Sequence, residues 1–196
     1  VLEAVKRNNI SLENLMFLSD ETSDTDTHAY SEVILALPGD SVTAMSDSFK
    51  GLMDAGIGNI TQHQLALIYG TEMNNRATRA KYEMAGQFRP IQRCVGKYKL
   101  GDEKFTAVEI EEICTSSVSL SYDDYVEMRR LYLTVGMFYN DRIFGEIHAL
   151  LRVLDLSTFG WIKLIHDNVE NLNSDVQSLY QGFTDDTVNE LWDTRE

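Results

Sequence analysis

The apolar and polar positions along the 196-residue chain fall into two textures. The first runs to about residue 100 and alternates helix with strand. AYSEVILAL, residues 29–37, is rich in Val, Ile and Leu and bounded by turn residues, which predicts a buried strand. SVTAMSDSFKGLMDAG follows, with Val42, Met45, Phe49, Leu52 and Met53 at helical spacing and Gly56 to stop the helix. NITQHQLALI, residues 59–68, alternates and then turns apolar, which predicts a second strand. Strand, helix and strand in that order predict a parallel pair with a right-handed crossover. Ahead of them, VLEAVKRNNI reads as the end of a helix and SLENLMFLSD as a short helix capped by Ser11. The acid-rich stretch from Asp20 to His28 reads as a loop.

The second texture is mainly helical. KFTAVEIEEICTSSVSL, residues 104–120, alternates enough to predict one more strand. Ser121 and Asp124 then form the sequence signature of a capping box ahead of a long amphipathic helix. Further helices are expected around 143–155 and 157–171, and a short last one near 185–193. The expected organisation is therefore an α/β part over 1–100 and a strand plus acidic helices over 101–196.

Charge sharpens this division. Of the 31 acids and 17 bases, residues 1–100 hold 12 and 10, leaving 19 and 7 for residues 101–196. So acidic a second half argues against nucleic-acid binding, which needs a basic footprint. Arg76 to Lys99 runs the other way, with seven bases against the single acid Glu83. It reads as a solvated loop face, with local capture of an anion as the alternative. No apolar run approaches the roughly 20 residues that cross a bilayer. The opening residues lack the pattern of a secretory leader. Cys94 and Cys114 show neither disulfide nor zinc spacing, so a reduced, cytoplasmic setting is expected.

Candidate chemistry sits at strand ends. In parallel α/β architectures ligands lie beyond the carboxyl ends of the strands. Pro38-Gly39 takes that place after the first strand and Tyr69-Gly70-Thr71 after the second. A structural turn accounts for either on its own. His63 lies between Gln62 and Gln64 on the second strand, where a core or surface role is the plainer reading. His28, His148 and His166 lack metal-ligand spacing, and Asp20, Asp24 and Asp26 lack the glycine and distal glutamate of a calcium loop.

Taken in order, VLEAVKRNN, SEVILALPGDS, the helix ending DAGI, and QHQLALIYGTEM resemble the later part of radical S-adenosylmethionine (SAM) enzymes. The resemblance is to the group with an N-terminal cobalamin-binding domain, which includes methyltransferases and magnesium-protoporphyrin ester cyclases. VEIEEICTSSVSLSYDDYVEMRRLYLTV resembles the C-terminal extension of that group. The fold implied is the last strands of a radical SAM (β/α) partial barrel followed by a mainly helical extension. The resemblance implies that Arg7 contacts the SAM carboxylate and that Glu32 hydrogen-bonds the ribose. Ile34 and Ala36 would lie near the adenine, with Ala36 where a glycine is usual, and Leu67 would pack against the base. One guanidinium, one carboxylate and an apolar slot suit such a ligand. Arg7 as a cap or exposed residue, and Glu32 as a solvent-edge acid, are the plain alternatives.

The family's chemistry uses CxxxCxxC to hold a [4Fe–4S] cluster, a pattern these 196 residues lack. The chain by itself is therefore expected to hold no cofactor and to be inactive. It reads as part of a larger parent that would use SAM, the cluster and, where its first domain is present, cobalamin. The expected partner is the missing N-terminal part of that parent. An exposed sheet edge left behind would drive homodimerisation or repacking of the first helices over it. The alternative is a non-catalytic α/β-plus-helical interaction module.

Overall fold

The computed structural model describes residues 29–194, together with Val1, Ser11, Asn14 and Phe17. The two helices expected before residue 20 lie largely outside the described residues, although Ser11 Oγ accepts the Asn14 amide at 3.2 Å, as a cap does.

β1 (Tyr30–Leu35) and β2 (Asn59–Gln64) pair in parallel, with Tyr30 beside Asn59 and Leu35 beside Gln64. Helix α1 (Val42–Asp54) crosses between them and buries Met45, Phe49, Leu52 and Met53, four of the five residues whose spacing predicted it. Ser41 starts the helix by accepting the Ala44 amide at 3.2 Å. The expected strand–helix–strand unit is thus present. The architecture is mixed α/β with small sheets, none of which closes into a barrel among the described residues.

The basic stretch departs from expectation. In place of a loop it forms helix α2 (Arg76–Tyr82) and the long strand β3 (Ala85–Leu100). β3 pairs antiparallel with β4 (Glu103–Ser116) over almost its whole length. Near its base this arrangement is supported by charge. Arg89 meets Glu111 at 2.8 Å and also reaches Glu190 at 3.1 Å, while Arg79 of α2 meets Glu112 at 2.7 Å. Burial opposes a charge on Arg89, but the two carboxylates outweigh it and raise its pKa.

The base of this hairpin is stitched to the parallel pair. Cys114 donates its amide to Leu65 O and Leu67 donates to Glu112 O, both at 2.8 Å. On the far side of β3, Phe88 and Trp192 exchange backbone hydrogen bonds at 2.8 Å. Strand order is therefore β1, β2 with its extension, β4, β3, and a final bridge to Trp192.

The helical layer begins with α3 (Tyr122–Phe138), whose expected capping box is present. Asp124 donates its amide to Ser121 Oγ at 3.1 Å, and its carboxylate accepts the Ser121 hydroxyl at 2.7 Å and the Ser121 amide at 2.9 Å, two bonds that hold the carboxyl below the usual range. α4 (Gly145–Val153) and α5 (Thr158–His166) follow. α6 (Ser174–Asn189) starts well before the short last helix expected near 185–193, because Asn173 caps it by accepting the Val176 amide at 2.9 Å. Its polar run hides the one large residue it buries deeply, Tyr180.

A buried polar chain ties α3, α5 and α6 together. His166 Nε2 lies 2.8 Å from Glu127, His166 Nδ1 2.9 Å from Thr134 Oγ1, and Thr134 Oγ1 2.7 Å from the Tyr180 hydroxyl. The hydrogen bond from His166 draws the Glu127 carboxyl down to about 2. One apolar cluster, including Leu35, Phe49, Ile60, Ile113, Tyr125, Leu131 and Ile162, runs through both textures of the chain.

Candidate functional site

The site grows from the alternation of β1 and β2. In a parallel pair, registered neighbours share a face. Ser31, Val33 and Leu35 therefore lie with Ile60, Gln62 and Gln64, toward α1 and α3, and Gln62 Nε2 donates to Met128 O at 3.3 Å. Tyr30, Glu32 and Ile34 lie with Asn59, Thr61 and His63 on the opposite face. Tyr30, Glu32 and His63 are exposed there, and Ile34 is half-buried.

Glu32 is the centre of this face. Its carboxylate accepts from the Tyr30 hydroxyl, a bond that raises the tyrosine's pKa, and stands 3.3 Å from His63 Nε2. Both side chains of the His63–Glu32 contact are about half exposed, 52% and 51%.

At the carboxyl end of β1 the chain turns hard. Ala36 sits in the left-handed region at φ +69°, a conformation that favours glycine. Asp40 donates its amide to Leu37 O at 2.8 Å, closing a turn with Pro38 second and Gly39, at φ +79°, third. The Asp40 side chain locks the turn from inside, accepting the Ala36 amide at 3.1 Å and the Ser41 amide at 3.0 Å. It is 3% exposed, and burial pushes its carboxyl up against the pull of those amides. Ser119 fixes the turn to the loop after β4 by donating to Asp40 O at 2.6 Å.

The second strand ends in a related way. Gly70 has φ +81°, and Asn74 donates to Leu67 O at 2.6 Å while accepting from Arg79 at 3.1 Å. An open groove of about 710 Å³ lies beside this loop, between Tyr69, Arg76, Arg79 and Glu112.

The residues singled out from sequence divide accordingly. Glu32 and Ile34 share the open face of β1. Ala36 lies just past the end of the strand, in the turn, and is fully buried, and Leu67 is 3% exposed at the junction with β4. Arg7 lies outside the described residues. Two residues gain weight from the geometry. His63, which reads from sequence as a core or surface residue, faces Glu32, a placement only the parallel register reveals. Asp40, the acid of "PGDS", is buried as the lock of the elbow. Among the described residues no group of three His, Cys, Asp or Glu side chains is arranged to hold a metal ion, and no helix is long and apolar enough to cross a membrane.

No family model matches the chain. A 56-residue stretch, 29% of the chain, is 41% identical to the 2-(S-pantetheinyl)-carbapenam-3-carboxylate methyltransferase of Streptantibioticus cattleyicolor. A stretch of the same length is 38% identical to the cobalamin-dependent radical SAM methyltransferase TokK of Streptomyces tokunonensis. Each match spans 8% of the relative's own length. Over that stretch the chain is similar to cobalamin-dependent radical SAM methyltransferases.

Proposed function

We propose that the chain supplies one wall of a SAM-binding pocket in a larger radical SAM protein, a cobalamin-dependent methyltransferase or an oxidative cyclase of that group. The observation that carries this reading is the open face of β1, where the half-exposed Glu32 carboxylate and the apolar edge of Ile34 stand side by side. A carboxylate that accepts from hydroxyls, beside an apolar strip, is the pairing a ribose and its base require. The left-handed backbone at Ala36 supports the likeness to a segment in which glycine is usual at that place. In this reading β1 and β2 are the last strands of the partial barrel, and their open face is the barrel's inner wall. Glu32 accepts from the ribose hydroxyls, Ile34 lines the adenine side, and the buried Ala36 and Leu67 back it from the core. Arg7 is assigned to the SAM carboxylate.

The cluster does not fit this chain. Its two cysteines cannot supply three thiolate ligands, and burial raises the Cys114 thiol to about 11, which disfavours the thiolate a metal needs. No step of radical chemistry is therefore assigned to these residues, and the chain alone is proposed to be inactive. Reading the coding frame upstream of Val1 tests the proposal. A CxxxCxxC in frame with this chain supports it. A start codon immediately before Val1 overturns it, leaves a stand-alone interaction module, and removes the roles given to Arg7 and Glu32.

A further inference from the structure

The outer half of the β3–β4 hairpin holds charges left unanswered among the described residues. Every residue from Glu103 to Glu109 is exposed, and the register places Val95, Lys97 and Lys99 on one face with Val108, Thr106 and Lys104. Lys99 and Lys104 stand directly opposite each other, an arrangement that destabilises a ribbon. Among the described residues none of the three lysines forms an ion pair. The Val95–Val108 pair on the same face is 58% and 46% exposed. On the other face Tyr98 and Phe105 stack with centroids 5.5 Å apart, which stiffens the ribbon without help from the basic side. A two-stranded ribbon is marginal in water, so one with apolar and like-charged residues turned to solvent is suited to a partner.

A complementary surface lies on the same chain. From Glu170 to Asp193 there are six acids and no base. The outward side of α6 carries Asp175, Leu179, Gly182 and Asp186, each about one turn from the next and all exposed. A Cβ at Gly182 would meet open space, so nothing among the described residues requires glycine at this mid-helix position, where it is unfavourable. The gap it leaves beside Leu179 admits a small apolar pair.

We propose that the hairpin's basic face docks on the outward side of α6 of a second copy of this chain. Val95 and Val108 would seat on Leu179 and Gly182, and the lysines beyond them would meet Asp185 and Asp186. The spacings agree: two to four strand residues span about 7–13 Å, and six or seven helical residues about 9–11 Å. Exchange in both directions closes a two-fold dimer. Local complementarity between these lysines and the six acids from Glu170 to Asp193 argues for this occupant.

Sedimentation velocity on the full chain tests the proposal. Self-association is expected at low ionic strength and is lost as salt screens the contact. Combined Lys97→Ala, Lys99→Ala and Lys104→Ala should weaken it at least about tenfold, because the exposed ion pairs at both contacts of the dimer are lost. Charge reversal to Glu at the three lysines, or to Lys at Asp175, Asp185 and Asp186, should each give monomers, and mixing the two reversed proteins should restore a complex. Unchanged circular dichroism would show that both variants keep the fold. A monomer at every salt concentration, or a dimer that the lysine substitutions leave intact, would overturn the proposal. So would salt-dependent binding of a single-stranded oligonucleotide by a chain that stays monomeric.

Discussion

The β1–β2 pair and the β3–β4 hairpin are both two-stranded, yet they are held in different ways. β1–β2 is short and parallel, with helices on one face and the candidate site on the other. β3–β4 is long and antiparallel, held at its base by Leu65, Leu67 and Trp192 and exposed beyond Glu109. A parallel pair depends on its crossover helix for burial, so its open face is free to carry chemistry without losing the fold. A hairpin needs only its register, so it can carry a charged tip far from the core. The difference teaches where to seek function in each: on a face in the first, at an end in the second.

The widest expected contrast is within the hairpin itself. Ile113, fully buried at the base, should lose about 3 kcal/mol of stability on substitution by alanine. Val108→Ala at the tip should stay within about 0.5 kcal/mol. Urea unfolding of both proteins measures the pair, and equal losses would break the anchored-base account. Next comes Arg89→Ala, which strands Glu111 and Glu190 in a half-buried setting and should cost about 2 kcal/mol. The double variant Arg89→Ala with Glu111→Ala should recover part of that loss if the ion pair is what ties base to body.

The helical layer provides a pH control for this difference between paired and unpaired charge. The Glu127 carboxyl is depressed from 4.5 to about 2 in the folded chain, first by its hydrogen bond from His166. A depressed acid stabilises the fold fully above its unfolded pKa and loses that contribution as pH falls through the folded one. Its side chain is 40% exposed, so screening reduces the effect to about 1 kcal/mol between pH 4.5 and 2. Thermal unfolding across that window should show the loss in the parent chain and a flatter profile in Glu127→Gln. The smallest effect is expected at the elbow. Ala36→Gly relieves a left-handed alanine and, after the entropy glycine adds to the unfolded chain, should stabilise by roughly 0.5 kcal/mol.

What the sequence discloses follows the same division. The β1–α1–β2 unit is legible because each element has its own period and its own stop: apolar alternation, Met45 to Met53 at helical spacing, then Gly56. The capping box of α3 is legible for the same local reason. β3 is not, because its bases look solvated until β4 is set opposite, and only pairing reveals that Arg89 faces Glu111. α6 is read too short because its apolar residues are few and its cap, Asn173, lies in a polar run. Within the candidate site, Glu32 and Ile34 are visible as an i, i+2 pair on one strand, whereas His63 joins them only through the parallel register. Asp40 looks like an ordinary turn acid, since neither its burial nor the bond its carbonyl accepts from the sequence-distant Ser119 shows in the local pattern.

The central claim is that the open face of β1 is a wall for SAM. It is tested most directly by titrating S-adenosylhomocysteine into the isotopically labelled chain at millimolar concentration and following backbone amide resonances. The account predicts shifts concentrated from Glu32 to Ser41 and at His63, diminished in Glu32→Ala. Shifts confined to other surfaces, or a Glu32→Ala protein that responds as the parent does, would contradict it.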